Sequence, residues 1–225
     1  RIVVPPGHYP VTSGGIHVQD HMALIMGPDV ILQMKPIKSP DCHPIQPKSH
    51  VYIEGGTIIG DVTSKPPTKP YCLKPKEPTK KDSETDEEFQ AKVAEYQTKL
   101  EVWNAYSAEY DAWKDTNKHG GDECNGINVW GDHVFINGIT IKLVYGDGIM
   151  LVDYSTDGGP YTVEHIIIAN SDISATRNSI GMAGSNKVRI TNNHIHHTTG
   201  LSPASGIDLE PNGNSRKNVN TIIDH

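Results

Sequence analysis

The octapeptide SGIDLEPN, residues 205–212, sets two carboxylates, Asp208 and Glu210, two positions apart among apolar and turn-forming neighbours. On an extended strand that spacing puts both on one face, about 7 Å apart. At such a separation one carboxyl can protonate a glycosidic oxygen while the other activates a water, the inverting scheme of glycoside hydrolysis. The same pair could hold Ca²⁺, with Asn212 or Asp153 adding oxygens, or be solvated acids on an outward strand face. A second group lies upstream in NNHIHHTTG, residues 192–200, where His194 and His196 share a strand face and could supply a base. His196 joins Asp208 and Glu210 as the candidate catalytic set. His194, Lys142, Asp172 and Asn212 are candidate substrate contacts, and no metal site is assigned to any of them.

Such residues need a frame that brings them together. Four segments align without a gap: VYIEGGTI (51–58), VFINGITI (134–141), IIIANSDI (166–173) and VRITNNHI (188–195). Their alternation is the period-2 signal of a strand with one buried face, so Ile53, Ile136, Ile168 and Ile190 should point inward together. Their fifth positions, Gly55, Gly138, Asn170 and Asn192, fall where the chain must bend; Gly tolerates the bend, and stacked Asn amides can bond from coil to coil. A second short strand follows most copies: DGIML (147–151), NSIGM (178–182) and SGIDL (205–209). Ile149, Ile180 and Ile207 align there, as do Leu151, Met182 and Leu209, as inward positions of a second sheet.

Similar strands thus recur a full coil apart instead of back to back, which favours a right-handed parallel β-helix over a β-sandwich with its hairpins. The register predicts outward neighbours: Thr140, Asp172 and His194 in one column, Lys142, Ser174 and His196 in the next. Asp208 and Glu210 should stand above the small residues Gly181 and Ala183, with Met150 and Val152 one coil further back, leaving a shallow depression beside the acids.

The opening IVVPPGHYPV, the Asn-rich ITNNHIHHT and SGIDLEPN together resemble the pectate-lyase-like, right-handed β-helix superfamily. The resemblance spans residues 1–60 and 126–225. It implies an extracellular or virion protein that meets a surface polysaccharide or other cell-wall glycan: a phage tail fibre, spike or appendage component, trimeric if viral, or else a secreted lyase, hydrolase or epimerase, or a non-catalytic adhesin. SGIDLEPN is similar to the Tyr-Gly-Phe-Asp-Pro-His strand of alginate C5-epimerases at Gly206 and Asp208, but Ser205 and Glu210 replace its Tyr and His. The Asn-Thr-Asp, Asp-Asp and Gly-His-Gly set of polygalacturonase-type hydrolases is missing.

Between the two β-rich parts, residues 61–125 lose the strand pattern. Six Lys and five Pro in 64–82 favour an extended linker. A helix of about 31 residues should follow, capped by Ser83, with Phe89, Val93, Tyr96, Leu100, Trp103, Tyr106, Tyr110 and Trp113 as one stripe. That stripe could pack on the β-helix, pair with another subunit or face sugar rings. The net charge of −7, with Lys and Arg scattered, gives no support to a nucleic-acid partner, and no run of about 20 apolar residues suggests membrane insertion. Three cysteines fit no zinc spacing, but Cys72 and Cys124 near the ends of the insertion could form a disulfide at its base. Strand-like sequence at both ends reads as part of a longer chain.

Overall fold

The computed structural model describes residues 1–12, 14–35, 43–62, 74–117, 124–153, 160–175, 177–198, 204–210 and 217–224. Asn212, Cys42 and Cys72 lie outside them. The strands run in three-part circuits. The first circuit is β1 (Ile2–Val4), β2 (Gly7–Val11) and β3 (Ile16–Val18); the second is β4 (Ala23–Met26), β5 (Val30–Met34) and β6 (Ile45–Pro47). The third is β7 (Val51–Glu54), β8 (Thr57–Ile59), then the inserted helix α1 (Asp86–Asn117), and β9 (Ile127–Val129). The fourth is β10 (Val134–Asn137), β11 (Thr140–Val144) and β12 (Ile149–Val152); the fifth is β13 (Glu164–Ala169), β14 (Asp172–Ala175) and β15 (Ile180–Ala183). The sixth is β16 (Ser185–Thr191), β17 (His194–Ile195) and β18 (Ile207–Leu209), and β19 (Asn218–Asp224) starts another.

Each circuit adds one strand to each of three sheets, A, B and C, visited in strict rotation and paired parallel throughout. This topology fits a parallel β-helix. The interior is built from aligned columns of Ile, headed by Leu in two of the three sheets. Leu24, Ile53, Ile136, Ile168 and Ile190 stack in register in sheet A, and Leu32, Ile58, Ile141, Ile173 and Ile195 in sheet B. In sheet C the column runs Ile16, Ile45, Ile127, Ile149, Ile180, Ile207. Most of these are fully buried, and each such Ile stabilises the fold by about 2–3 kcal/mol relative to an exposed one. Leu209 pairs with Met182 as the alignment expects, yet it is half exposed, because β18 is the edge strand of its sheet.

The corners are as regular as the strands. Between sheets A and B, Gly55, Gly138, Asn170 and Asn192 all have positive φ, between 53° and 68°, at the positions the repeat marks as bends. The amides stack: Asn170 Nδ2 donates to Asn137 Oδ1 at 2.7 Å and Asn192 Nδ2 to Asn170 Oδ1 at 2.5 Å. Entering sheet A from sheet C, a second left-handed column runs His21, His50, His133, His165, Lys187, Asn220, with φ of 52–61°.

The chain divides into two compact units, residues 1–63 with 117–225 and residues 64–116. In the second, α1 is closed at its N-terminus by a capping box at Thr85 and not by Ser83: the Glu88 N–H donates to Thr85 Oγ1, and Glu88 Oε2 accepts from the Thr85 N–H at 3.0 Å. The spacing Thr85-x-x-Glu88 carries two bonds where Ser83 could offer one. Lys80–Asp86 and Lys92–Glu84 ion pairs tie the preceding segment to the first turns. Along one face Trp103, Tyr106, Tyr110 and Trp113 form a continuous row with ring centroids 5.6–5.8 Å apart. Among the described residues no helix is long and apolar enough to cross a membrane.

Candidate functional site

In sheet C a polar column runs beside the Ile column, two residues before each Ile: His43, Asn125, Asp147, Asn178 and Ser205. The first four side chains each take the backbone N–H of the next circuit. The Asn125 N–H donates to His43 Nδ1 at 3.2 Å, the Asp147 N–H to Asn125 Oδ1 at 2.9 Å, and the Ser205 N–H to Asn178 Oδ1 at 3.1 Å. Asp147 accepts from the backbone and side-chain amides of Asn178 in the same way. A carboxylate therefore stands in a column whose other members are neutral.

That carboxylate is 1% exposed. Burial pushes it up to about 6; the guanidinium of Arg177 and the amides of Asn178 act against the rise, and the neighbouring Asp208 adds to it. Arg177 Nη1 is 3.7 Å from Asp147 Oδ1, an oxygen without a hydrogen bond. The other oxygen lies over Gly181, 2.1 Å from where a Cβ would be. The depression that the sequence places beneath Asp208 is real in its register, Met150 beside Gly181 beside Asp208, but Asp147 and the Met150 side chain occupy most of it. What remains is a recess of about 10 Å³ lined by Asp147, Met150, Arg177, Asn178, Met182, Asp208 and Glu210. This is room for about one water.

Asp208 is half-buried and Glu210 exposed. Asn178 Nδ2 donates to Asp208 Oδ2 at 3.3 Å, and the Glu210 N–H continues the ladder to the Met182 carbonyl at 3.1 Å. Asp153, the residue that could have completed a Ca²⁺ site, is fully buried, and its two oxygens accept from the Thr162 hydroxyl and N–H at 2.9 Å each. Its carboxylate is spent on the fold and adds no ligand to Asp208 and Glu210.

His196 joins a different group, on sheet B. Its Nε2 is 2.6 Å from Asp172 Oδ1, and its Nδ1 is 2.5 Å from Nδ1 of His197. With the Nε2 proton on the carboxylate side, Nδ1 accepts from His197, so the three form a chain Asp172–His196–His197. His194 stacks on His196 with centroids 4.3 Å apart and reaches Asp172 at 3.6 Å. The column Thr140, Asp172, His194 is as the register predicts. The neighbouring column is altered by a β-bulge: Ile141 pairs with Ile173 and Val144 with Ala175, so Lys142 and Leu143 together oppose Ser174. Leu143 takes positive φ there, and Lys142 is exposed.

Two groups among the described residues bring three metal-ligating atoms within 4.8 Å of one another: Asp172, His194 and His196, and His50, Asp132 and His133. The second belongs to the histidine corner. A hydrogen bond from Ser49 holds the Asp132 carboxyl below its usual range; burial works against it, and a weaker hydrogen bond from His133 works with it. A larger recess of about 250 Å³ near the first circuit is apolar, lined by Val4, Val11, Ile16 and Leu32 among others, and contains no acid or imidazole.

Asp147, Asn178 and Arg177 are the site residues that sequence reading passed over. The signal was present for two of them, since DGIML and NSIGM begin with Asp147 and Asn178 in the column above which Ser205 falls. Comparison with protein-family models, with curated proteins and with solved structures finds no match.

Proposed function

We propose that this chain is a right-handed parallel β-helix of the pectate-lyase-like kind that acts on a polysaccharide, and that the edge of sheet C is where it does so. The right-handed sense is the one that the preference of parallel crossover connections supports. The observation that carries the activity is the junction of three acids, Asp147, Asp208 and Glu210, with Arg177 around a recess of one-water size. In an inverting hydrolysis, Asp208 takes the proton from a water lodged there, and Glu210, further out on the same strand face, hands a proton to the leaving oxygen. Asp147 touches no substrate; buried behind Asn178, it sets the charge of the recess. The sugar chain lies along the outward face, over the recess and not in it.

The expected setting is a surface-exposed one, either a phage tail appendage or a secreted protein, with a host surface glycan as partner. The long helix with its aromatic row supports an assembly contact, as a trimer in the viral case. It also supports a second reading, a virion or adhesin module that binds glycan without cutting it. Incubating the protein with capsular and cell-wall polysaccharides separates these. Cleavage releases reducing ends, and proton NMR of the first product shows inversion at the anomeric carbon. Retardation in affinity electrophoresis without new reducing ends means binding alone, and unsaturated uronate in the products means elimination in place of hydrolysis.

A further inference from the structure

The geometry points to a divalent transition-metal site formed by His50, Asp132 and His133 on the corner that leads into sheet A. Three observations converge on it. First, the ligand atoms are already gathered. His133 Nδ1 is 2.9 Å from Asp132 Oδ2, His50 Nδ1 is 3.9 Å from Asp132 Oδ1, and all three groups fall within 4.8 Å. Around an ion bonded at about 2.0–2.1 Å, tetrahedral ligands stand about 3.3 Å apart, so the His133–Asp132 pair is already near that separation and the His50 ring must turn inward to close the site.

Second, one residue type recurs at one position. A left-handed corner is met most cheaply by Gly or Asn, and the A-to-B corner uses those types at four consecutive circuits. At this corner four circuits in succession carry His, at positions 21, 50, 133 and 165, each in the same conformation. Their rings stack at 4.4–4.7 Å, with His21 edge-on to His50. A corner that needed only its backbone shape would not require imidazoles.

Third, the backbone holds the three ligands in fixed relation. The His50 N–H donates to the Asp132 carbonyl at 2.8 Å, and the Asp132 N–H to Ser49 Oγ at 3.2 Å. Two imidazole nitrogens and one carboxylate suit Zn²⁺, Co²⁺, Ni²⁺ or Cu²⁺ and disfavour Ca²⁺ and Mg²⁺, which take oxygen ligands. Waters fill the remaining positions. His50 precedes the helical insertion and Asp132 and His133 follow it, so a bound ion fastens together the two stretches of chain that the insertion separates in sequence. The site lies apart from the acids of sheet C and stands or falls independently of the proposed hydrolysis.

Isothermal titration of the full chain with Zn²⁺ tests this, read beside thermal unfolding with and without the ion. His50→Asn and His133→Asn keep a residue that tolerates positive φ while removing the ligand, and His196→Ala disables the other three-ligand group. The expected result is Zn²⁺ binding that survives His196→Ala, weakens at least tenfold in His50→Asn and in His133→Asn, and raises Tm on the order of 5–10 °C at a hundredfold excess over Kd. With Co²⁺, visible bands that disappear in the same two variants report imidazole ligation directly. Absence of Zn²⁺ binding, or binding that both Asn variants leave intact, overturns the assignment.

Discussion

Asp147 and Asp208 stand two circuits apart, yet a single side chain between them, Asn178, donates to both. The intervening strand position is Gly181, and only because it lacks a Cβ can the Asp147 carboxylate lie across it. Gly181→Ala would put a methyl 2.1 Å from Asp147 Oδ2. The expected loss is about 1–3 kcal/mol in urea denaturation, with any polysaccharide-cleaving activity falling together with it. A variant as stable and as active as the parent would mean that Asp147 does not hold that position.

Asp147 also gives the stability a defined pH dependence. Unfolded, its carboxyl titrates near 3.8; folded, at about 6. The folded state therefore keeps its proton over that interval, so this contribution is complete below about pH 4 and is lost as pH rises through 6. About two pH units correspond to roughly 3 kcal/mol as an upper figure. Asp147→Asn, which restores the residue type found at Asn125 and Asn178, should gain on the order of 1–2 kcal/mol at pH 8, the unpaired Arg177 offsetting part of the benefit. At pH 4 the change should be near zero. Urea denaturation at the two pH values reads the difference directly, and an equal effect at both would show that folding does not raise the Asp147 carboxyl above its ordinary value.

The Asn ladder separates backbone shape from side-chain bonding. Asn170→Gly keeps the left-handed corner but deletes both amide bonds, to Asn137 and Asn192, and should cost about 1 kcal/mol. Asn170→Ala adds the strain of a positive φ and should cost about 1–2 kcal/mol more. If Gly and Ala are equally destabilising, the conformation at residue 170 is not the one described.

Alternation in sheet A can be tested on adjacent residues. Ile168→Ala opens a cavity in the Ile column and should cost 2–5 kcal/mol by the usual range for buried aliphatics. Ile167 faces outward and is 38% exposed, so Ile167→Ala should cost well under half as much. Chemical denaturation of the two single variants is sufficient to rank them.

Most of this frame was legible in the residues. The Ile columns, the bends at Gly138, Asn170 and Asn192, and the seat of Asp208 over Gly181 follow from period 2 and from aligning segments a circuit apart, since parallel stacking turns sequence register into spatial register. The first two circuits were less legible because their strands share no gap-free motif with the later ones. Lys142 could not be placed from periodicity, because a bulge inserts a residue without leaving a repeat signature. The polar column through Asp147 and the His column through His133 were missed for a different reason. Each of these residues looks ordinary in its own segment, and only cross-circuit neighbours give it a charged or stacked environment. Asp153 shows the converse, a promising acid whose oxygens are taken up by Thr162 nine residues on.

The most direct test of the account is the rate of reducing-end release from a polysaccharide that the protein cleaves, compared among the parent, Asp208→Asn, Glu210→Gln and the double variant. Removing a positioned acid or base should lower the rate by about 10²- to 10⁴-fold in each single variant, with the double variant little worse than the poorer single one and all three folded by circular dichroism. A double variant that releases reducing ends as fast as the parent would contradict a catalytic role for the acids of sheet C.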